Sequence, residues 1–321
     1  MAGPERIDYD EFGLFHENAA EYGLPFDEPP TVRREQVDVG GGRRLSALVW
    51  GEGHPEIVLL HGGAQNAHTW DTVALALRPR PLLAIDLPGH GHSDGPSVVR
   101  GRRHSPGAAA DDVAVVVRAL APTAVGVVGM SFGGLTAIAL ADRAPDLVRR
   151  LLLVDVLPGL DAAHAQHISD FVNGPPTFAS FDELLERTKQ FNPTRRESSL
   201  RRGILHNALQ LDDGSWVWRH SRWRLDERQP APAGGADPAD ATDAAPDDAG
   251  HAALVDALGR IDVPVLLARG MRPDSVLRDD DEARLRRLQP NARVVHFERA
   301  GHSIQGDMPL ELAATIAEFL P

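Results

Sequence analysis

Cysteine is absent from the 321 residues, which excludes disulfides, thiolate metal sites and cysteine nucleophiles together. Lysine is nearly absent: Lys189 stands alone and every other basic residue is arginine, a skew that fits a GC-rich genome and carries no functional meaning. No apolar run approaches the ~18 residues needed to span a bilayer. The opening Met1–Gly13 carries Glu5, Arg6, Asp8, Asp10 and Glu11 where a secretory signal would need an apolar stretch. The expectation is a soluble cytoplasmic protein without a membrane partner. Positive charge is also short. Lys+Arg number 33 against 46 Asp+Glu, a net charge of −13, so the basic face of a nucleic-acid binder is not expected.

What is present suffices for a large core. Residues 1–30 are polar, contain Pro25, Pro29 and Pro30, and read as an irregular arm. Thr31–Val39 and Leu45–Trp50 flank Gly40-Gly41-Gly42, the pattern of a hairpin. Short apolar runs then alternate with helical segments. Ile57–Leu60, Leu82–Ile85, Val125–Val128 and Leu151–Val154 read as strands covered on both faces; Ala67–Leu77, Ala108–Leu120 and Leu135–Arg143 read as helices between them. This alternation predicts an α/β fold with a mostly parallel sheet and helices on both faces. It stops over residues 157–227, which look like an inserted, mainly helical cap, with a helix at Phe181–Phe191 and tryptophans 216, 218 and 223. Arg228–Gly250 is rich in Ala, Pro, Asp and Gly, cannot build a core, and is expected to be a flexible linker. Residues 251–321 resume the core, with strands at Val263–Ala268 and Val294–Phe297 and helices near Asp279–Leu288 and Leu310–Phe319.

The most specific motif is Gly129-Met130-Ser131-Phe132-Gly133, followed by Gly134. It fits G-x-S-x-G, and its context fits too: an apolar strand enters it and a helix leaves it. A serine on such a sharp turn is held with its hydroxyl above the sheet edge, and small residues two positions either side let strand and helix backbones pass closely. Three further stretches share the strand-end location. His61-Gly62-Gly63 follows the Ile57–Leu60 strand, Asp86-Leu87-Pro88-Gly89-His90-Gly91-His92-Ser93-Asp94 follows the next, and Gly301-His302 follows the last. Together they make the chain resemble the α/β-hydrolase family, in the cap-bearing serine hydrolase branch, over about residues 31–321. The resemblance implies an eight-stranded sheet, a small-molecule substrate and no cofactor.

A serine hydroxyl needs a neighbouring base. Of fourteen histidines, His302 is favoured because it lies in the loop after the final strand, at the carboxyl edge where functional groups of such sheets gather. A carboxylate should then fix the imidazole tautomer. Asp274, after the Val263–Ala268 strand, is the first choice and preserves the order Ser…Asp…His, although Pro273 stands where relatives often carry serine. Asp155, at the end of Leu151–Val154, is the alternative; Asp262 precedes its strand and sits at the wrong edge. Backbone N–H groups of Phe132 and Gly63, with Ala64 as fallback, are the expected oxyanion hole. Trp216 and Trp218 share one face of an extended segment and either pack the cap onto the core or line the pocket. His90-Gly91-His92 lacks metal-ligand spacing and reads as a turn. The expected activity is hydrolysis of a carboxylic ester, lactone or thioester through an acyl-enzyme. The alternatives are hydrolysis of a carbon–carbon bond in a β-diketone-like substrate by the same triad, or an inert small-molecule receptor.

Overall fold

The computed structural model describes residues 6–95, 105–160, 166–172, 174–175, 177–221 and 248–321. Most of the Arg228–Gly250 stretch, and Trp223, lie outside them. The described chain runs α1 (Phe15–Tyr22), β1 (Val32–Gly40), β2 (Arg43–Trp50), β3 (Ile57–Leu60), α2 (Asp71–Ala76), β4 (Leu82–Ile85), α3 (Pro106–Leu120), β5 (Gly126–Met130), α4 (Phe132–Arg143) and β6 (Leu151–Val154). The inserted region contributes α5 (Gln166–Val172), β7 (Thr177–Phe178), α6 (Phe181–Phe191), α7 (Glu197–Asn207), β8 (Ala208–Gln210) and β9 (Trp216–Trp218). The core resumes with α8 (Asp248–Arg260), β10 (Val265–Gly270), α9 (Asp279–Leu288), β11 (Arg293–Phe297), α10 (Ile304–Asp307) and α11 (Pro309–Phe319).

Eight strands form one sheet in the order β1-β2-β4-β3-β5-β6-β10-β11. Only the β1/β2 and β2/β4 pairs are antiparallel; β4 through β11 run parallel. Side chains alternate across the sheet, so Val58 and Leu60 join the core beneath α3, α4, α8 and α9 while Ile57 and Leu59 join the one beneath α1, α2 and α11. Burial on both faces is why β3, β4 and β6 are continuous apolar runs. Among the described residues no helix is long and apolar enough to cross a membrane.

Two elements depart from expectation. The insertion carries a small antiparallel sheet, β7-β9-β8, beside its helices. The N-terminal arm is not wholly irregular: α1 inserts Phe15 against Trp50, ring centroids 4.8 Å apart, and ends at Gly23 in the left-handed conformation (φ 67°). The arm joins insertion to core. Tyr9 Oη meets His206 Nδ1 at 2.7 Å, Arg202 of α7 pairs with Glu17 and Glu21, and Tyr22 Oη donates to Gly306 O at 3.0 Å.

Candidate active site

Strand register gathers the site. Met130 of β5 lies opposite Val154 of β6, and Val154 lies opposite Ala268 of β10. The residues that follow, Ser131 and Asp155, therefore leave the sheet side by side at its carboxyl edge, next to Arg269 and Gly270. Ser131 adopts φ 51° and ψ −122° before α4 begins at Phe132. The flanking glycines are required by contact: a Cβ at Gly129 would collide with the backbone of Gly133 and Gly134, and one at Gly133 with the carbonyls of Leu60 and His61. Among the described residues, the non-glycines with positive φ are Ser131, Asp155 and Ala64, all at this edge. Such conformations cost about 1–3 kcal/mol each and concentrate at functional sites.

Asp155, and not Asp274, holds His302. Asp155 Oδ2 accepts from His302 Nδ1 at 3.0 Å, and both residues are buried. The same carboxylate accepts from Gly270 N at 2.9 Å, Ser275 Oγ at 2.7 Å and Val276 N at 3.1 Å, so four donors fix it in place. The loop after β10 thus supports the acid rather than supplying it. Asp274 lines the rim of the cleft that holds Ser131 and His302 but makes no hydrogen bond to the imidazole: its side chain is 48% exposed, its carboxylate pairs with Arg272 at 3.0 Å, and it packs over the bare Cα of Gly301. Nε2 of His302 is buried without a hydrogen-bond partner among the described residues. It lines one cleft with Ser131, Gly63 and Met130. Ser131 and His302 are not hydrogen-bonded to each other, a looseness common before substrate closes such a pair.

The turn from His61 to Ala64 is braced by two histidines. His61 Nε2 accepts Leu87 N–H at 2.9 Å while its Nδ1 meets Gly62 O at 2.7 Å. His90 Nε2 accepts Ala64 N–H at 3.1 Å while its Nδ1 meets Pro88 O at 3.0 Å. Ala64, the fallback donor, is thereby committed elsewhere. Gly63 is exposed in the cleft, and its N–H has no intramolecular acceptor among the described residues. Phe132 opens α4, where a first-turn N–H has no intrahelical acceptor and the helix dipole favours negative charge. Buried Asp86 secures the neighbouring loop, accepting from Ala67 N at 2.7 Å, His92 N at 3.1 Å and Arg34 at 2.7 Å. The His90-Gly91-His92 stretch is accordingly a brace.

Trp216 and Trp218 are both buried in the insertion's own cluster with Phe178, Leu184 and Ile204. Trp216 packs edge-on against Phe181, whereas Trp218 also lines a second cavity between α1, α2 and α7. Near that cavity lies a histidine pair that the sequence reading did not single out. His68 contacts Asp71 through Nδ1 (2.9 Å) and Glu11 through Nε2 (3.0 Å), and stacks on His206 with centroids 3.9 Å apart at 11°. Burial pushes His68 toward the neutral form, but the two carboxylates outweigh it and raise its pKa to about 9. Burial and the adjacent His68 push His206 well down. Ligand-type atoms of His68, Asp71 and His206 lie within 4.8 Å of one another. A bound ion lies in the plane of a coordinating imidazole, and the planes of two stacked rings inclined at 11° share no point within coordination distance of both. The arrangement suits a hydrogen-bonded imidazolium and does not fit a metal ion.

Residues 55–309 match the model of the alpha/beta hydrolase fold family. The chain is 41% identical over 331 aligned positions to the esterase Rv0045c of Mycobacterium tuberculosis, covering 100% of this chain and 99% of that protein. A crystal structure of that esterase superposes with a TM-score of 0.76 at 39% identity, covering 98% of this chain and 99% of the other. A thioesterase domain from the curacin biosynthetic pathway shares the fold, with a TM-score of 0.68 at 22% identity over 89% of this chain and 99% of that one. Sheet order, nucleophile turn and full-length similarity agree: this chain belongs to the alpha/beta hydrolase family.

Proposed function

We propose that the protein is an esterase that works through an acyl-enzyme on Ser131, with His302 as general base and acid and Asp155 as the orienting carboxylate. Full-length similarity to an esterase supports ester hydrolysis. The observation that carries the triad is the 3.0 Å contact between His302 Nδ1 and Asp155 Oδ2, with Nε2 left unpartnered in the cleft that holds Ser131. Asp155 holds the proton on Nδ1, which leaves the Nε2 lone pair to receive the serine proton. Attack of Ser131 Oγ on the ester carbonyl gives a tetrahedral alkoxide, stabilised by N–H groups of Phe132 and Gly63; each such donor is typically worth about 10²–10³ in rate. His302 then returns the proton to the departing alcohol. Water attacks the acyl-enzyme by the same route, releasing the acid and restoring Ser131.

An active-site-directed fluorophosphonate, with turnover of p-nitrophenyl butyrate, tests this reading. The native chain is expected to be labelled on Ser131 and to cleave the ester. Ser131→Ala should lose the label and at least about 10⁴-fold of kcat while melting at an unchanged temperature. Labelling without turnover of any ester, but with cleavage of a vinylogous β-diketone, would move the reaction to carbon–carbon hydrolysis.

A further inference from the structure

The cleft with Ser131 and the second pocket meet at one wall, where Ala64, Gln65, Phe171, Asn192 and Arg195 line both. Other charged groups around the two pockets are matched, Asp274 and Asp307 of the cleft included. Arg202 pairs with Glu17 and Glu21, Arg272 with Asp274 and Asp307, and His68 with Asp71 and Glu11. Arg195 differs. Among the described residues its guanidinium bonds Ser199 Oγ at 2.7 Å and pairs with no carboxylate. Five N–H donors in a planar fork match a carboxylate in two parallel bonds, and one contact to Ser199 leaves most of that fork unused.

Its position is built rather than incidental. Gly306 gives the guanidinium room, since a Cβ there would collide with Arg195 Nη1, and Tyr22 holds the Gly306 carbonyl from the far side. The preceding residue, Gln305, is 3% exposed and lines the second pocket with Oε1 unpartnered, its Nε2 making only a long 3.4 Å contact to Thr69. Turned end for end, that amide accepts the Thr69 hydroxyl and presents its N–H groups instead. The stretch after His302 thus leaves room for the Arg195 guanidinium on the cleft wall and sets the Gln305 amide in the adjoining pocket.

Resting on the esterase reading above, we propose that Arg195 is an anion anchor: the ester cleaved here carries a free carboxylate on one arm, gripped by the Arg195 guanidinium with Gln305 as its polar neighbour. Two substrate pairs test it, each differing only in a terminal carboxylate or methyl. They are mono-p-nitrophenyl succinate against p-nitrophenyl butyrate for the acyl arm, and 4-carboxyphenyl butyrate against 4-methylphenyl butyrate for the alcohol arm. In at least one pair the native enzyme is expected to favour the carboxylate about tenfold or more in kcat/KM, chiefly through KM, as for a charge-assisted contact. Arg195→Met should bring that ratio to near one, and Arg195→Lys should keep part of it. An enzyme that is labelled by fluorophosphonate and cleaves butyrate but shows no preference in either pair would overturn the anchor alone. So would a preference that survives Arg195→Met. Failure of both labelling and butyrate turnover would bring down the esterase reading and the anchor with it. Where a variant does not fold, the absence of any preference in the native protein still overturns the anchor.

Discussion

At the scale of single residues, Asp155 and Asp274 divide roles that look interchangeable on paper. Both follow a buried strand, both lie between Ser131 and His302 in the chain, and both end near the same sheet edge. Asp155 has four donors and no exposure, whereas Asp274 is paired to Arg272 in partial contact with water. Asp155→Asn is expected to lower kcat for an ester about 10⁴-fold by favouring the wrong imidazole tautomer. Asp274→Asn should cost less than about tenfold, an exposed ion pair being worth little. Steady-state rates of the two variants, measured side by side, check the assignment. Ser131 was legible because one turn forces glycine, serine and glycine into fixed spacing, and His302 because it follows the last strand. The carboxylate was not, because chain order admits both candidates. Only the lateral register of β5, β6 and β10, a pairing between distant segments, separates them.

At the scale of elements, the core strands and helices were readable from apolar runs because burial on both faces leaves little alternative. The N-terminal arm was not. Its helix has only eight residues, and what stabilises it is tertiary: Phe15 against Trp50, Glu11 against Arg34 and His68, and Glu21 against Arg202. The Glu11–His68 contact gives that docking a pH signature. Burial works to raise the Glu11 pKa, yet hydrogen bonds from His68 and Arg34 hold it at about 2, below its ordinary 4.5. His68 is raised from 6.5 to about 9, first by Asp71 of α2 and then by Glu11 of the arm. A depressed carboxylate stabilises the fold above its unfolded value and a raised histidine below its own, so the pair contributes fully between pH 4.5 and 6.5. The contribution fades as pH falls through about 2 or rises through about 9. His68→Gln should therefore cost about 3 kcal/mol within that window, as for a buried pair losing one partner. Its deficit against the native chain should narrow above pH 9; urea titrations across the pH range measure it.

At the scale of the molecule, the arm joins the inserted region to the sheet, and residues of α1, α2 and α7 together line the pocket next to the Ser131 cleft. A chain starting at Leu24 forfeits the buried Phe15, the Arg202 partners and the Tyr22–Gly306 contact at once. Loss of at least about 3 kcal/mol is expected, from large-to-small packing terms alone. Ester turnover should fall below the native level even at temperatures where the shortened chain stays folded. Unchanged melting and turnover would show the arm to be dispensable.

The left-handed bends at Ala64, Ser131 and Asp155 set a boundary on engineering. Where the main chain is least at ease, it also aims the hydroxyl, the carboxylate and the amide turn. Glycine at Ala64 would ease the backbone and loosen the amide turn, while at Ser131 or Asp155 it would remove the hydroxyl or the carboxylate itself, so heat-hardened variants are better sought on the helices than along this rim.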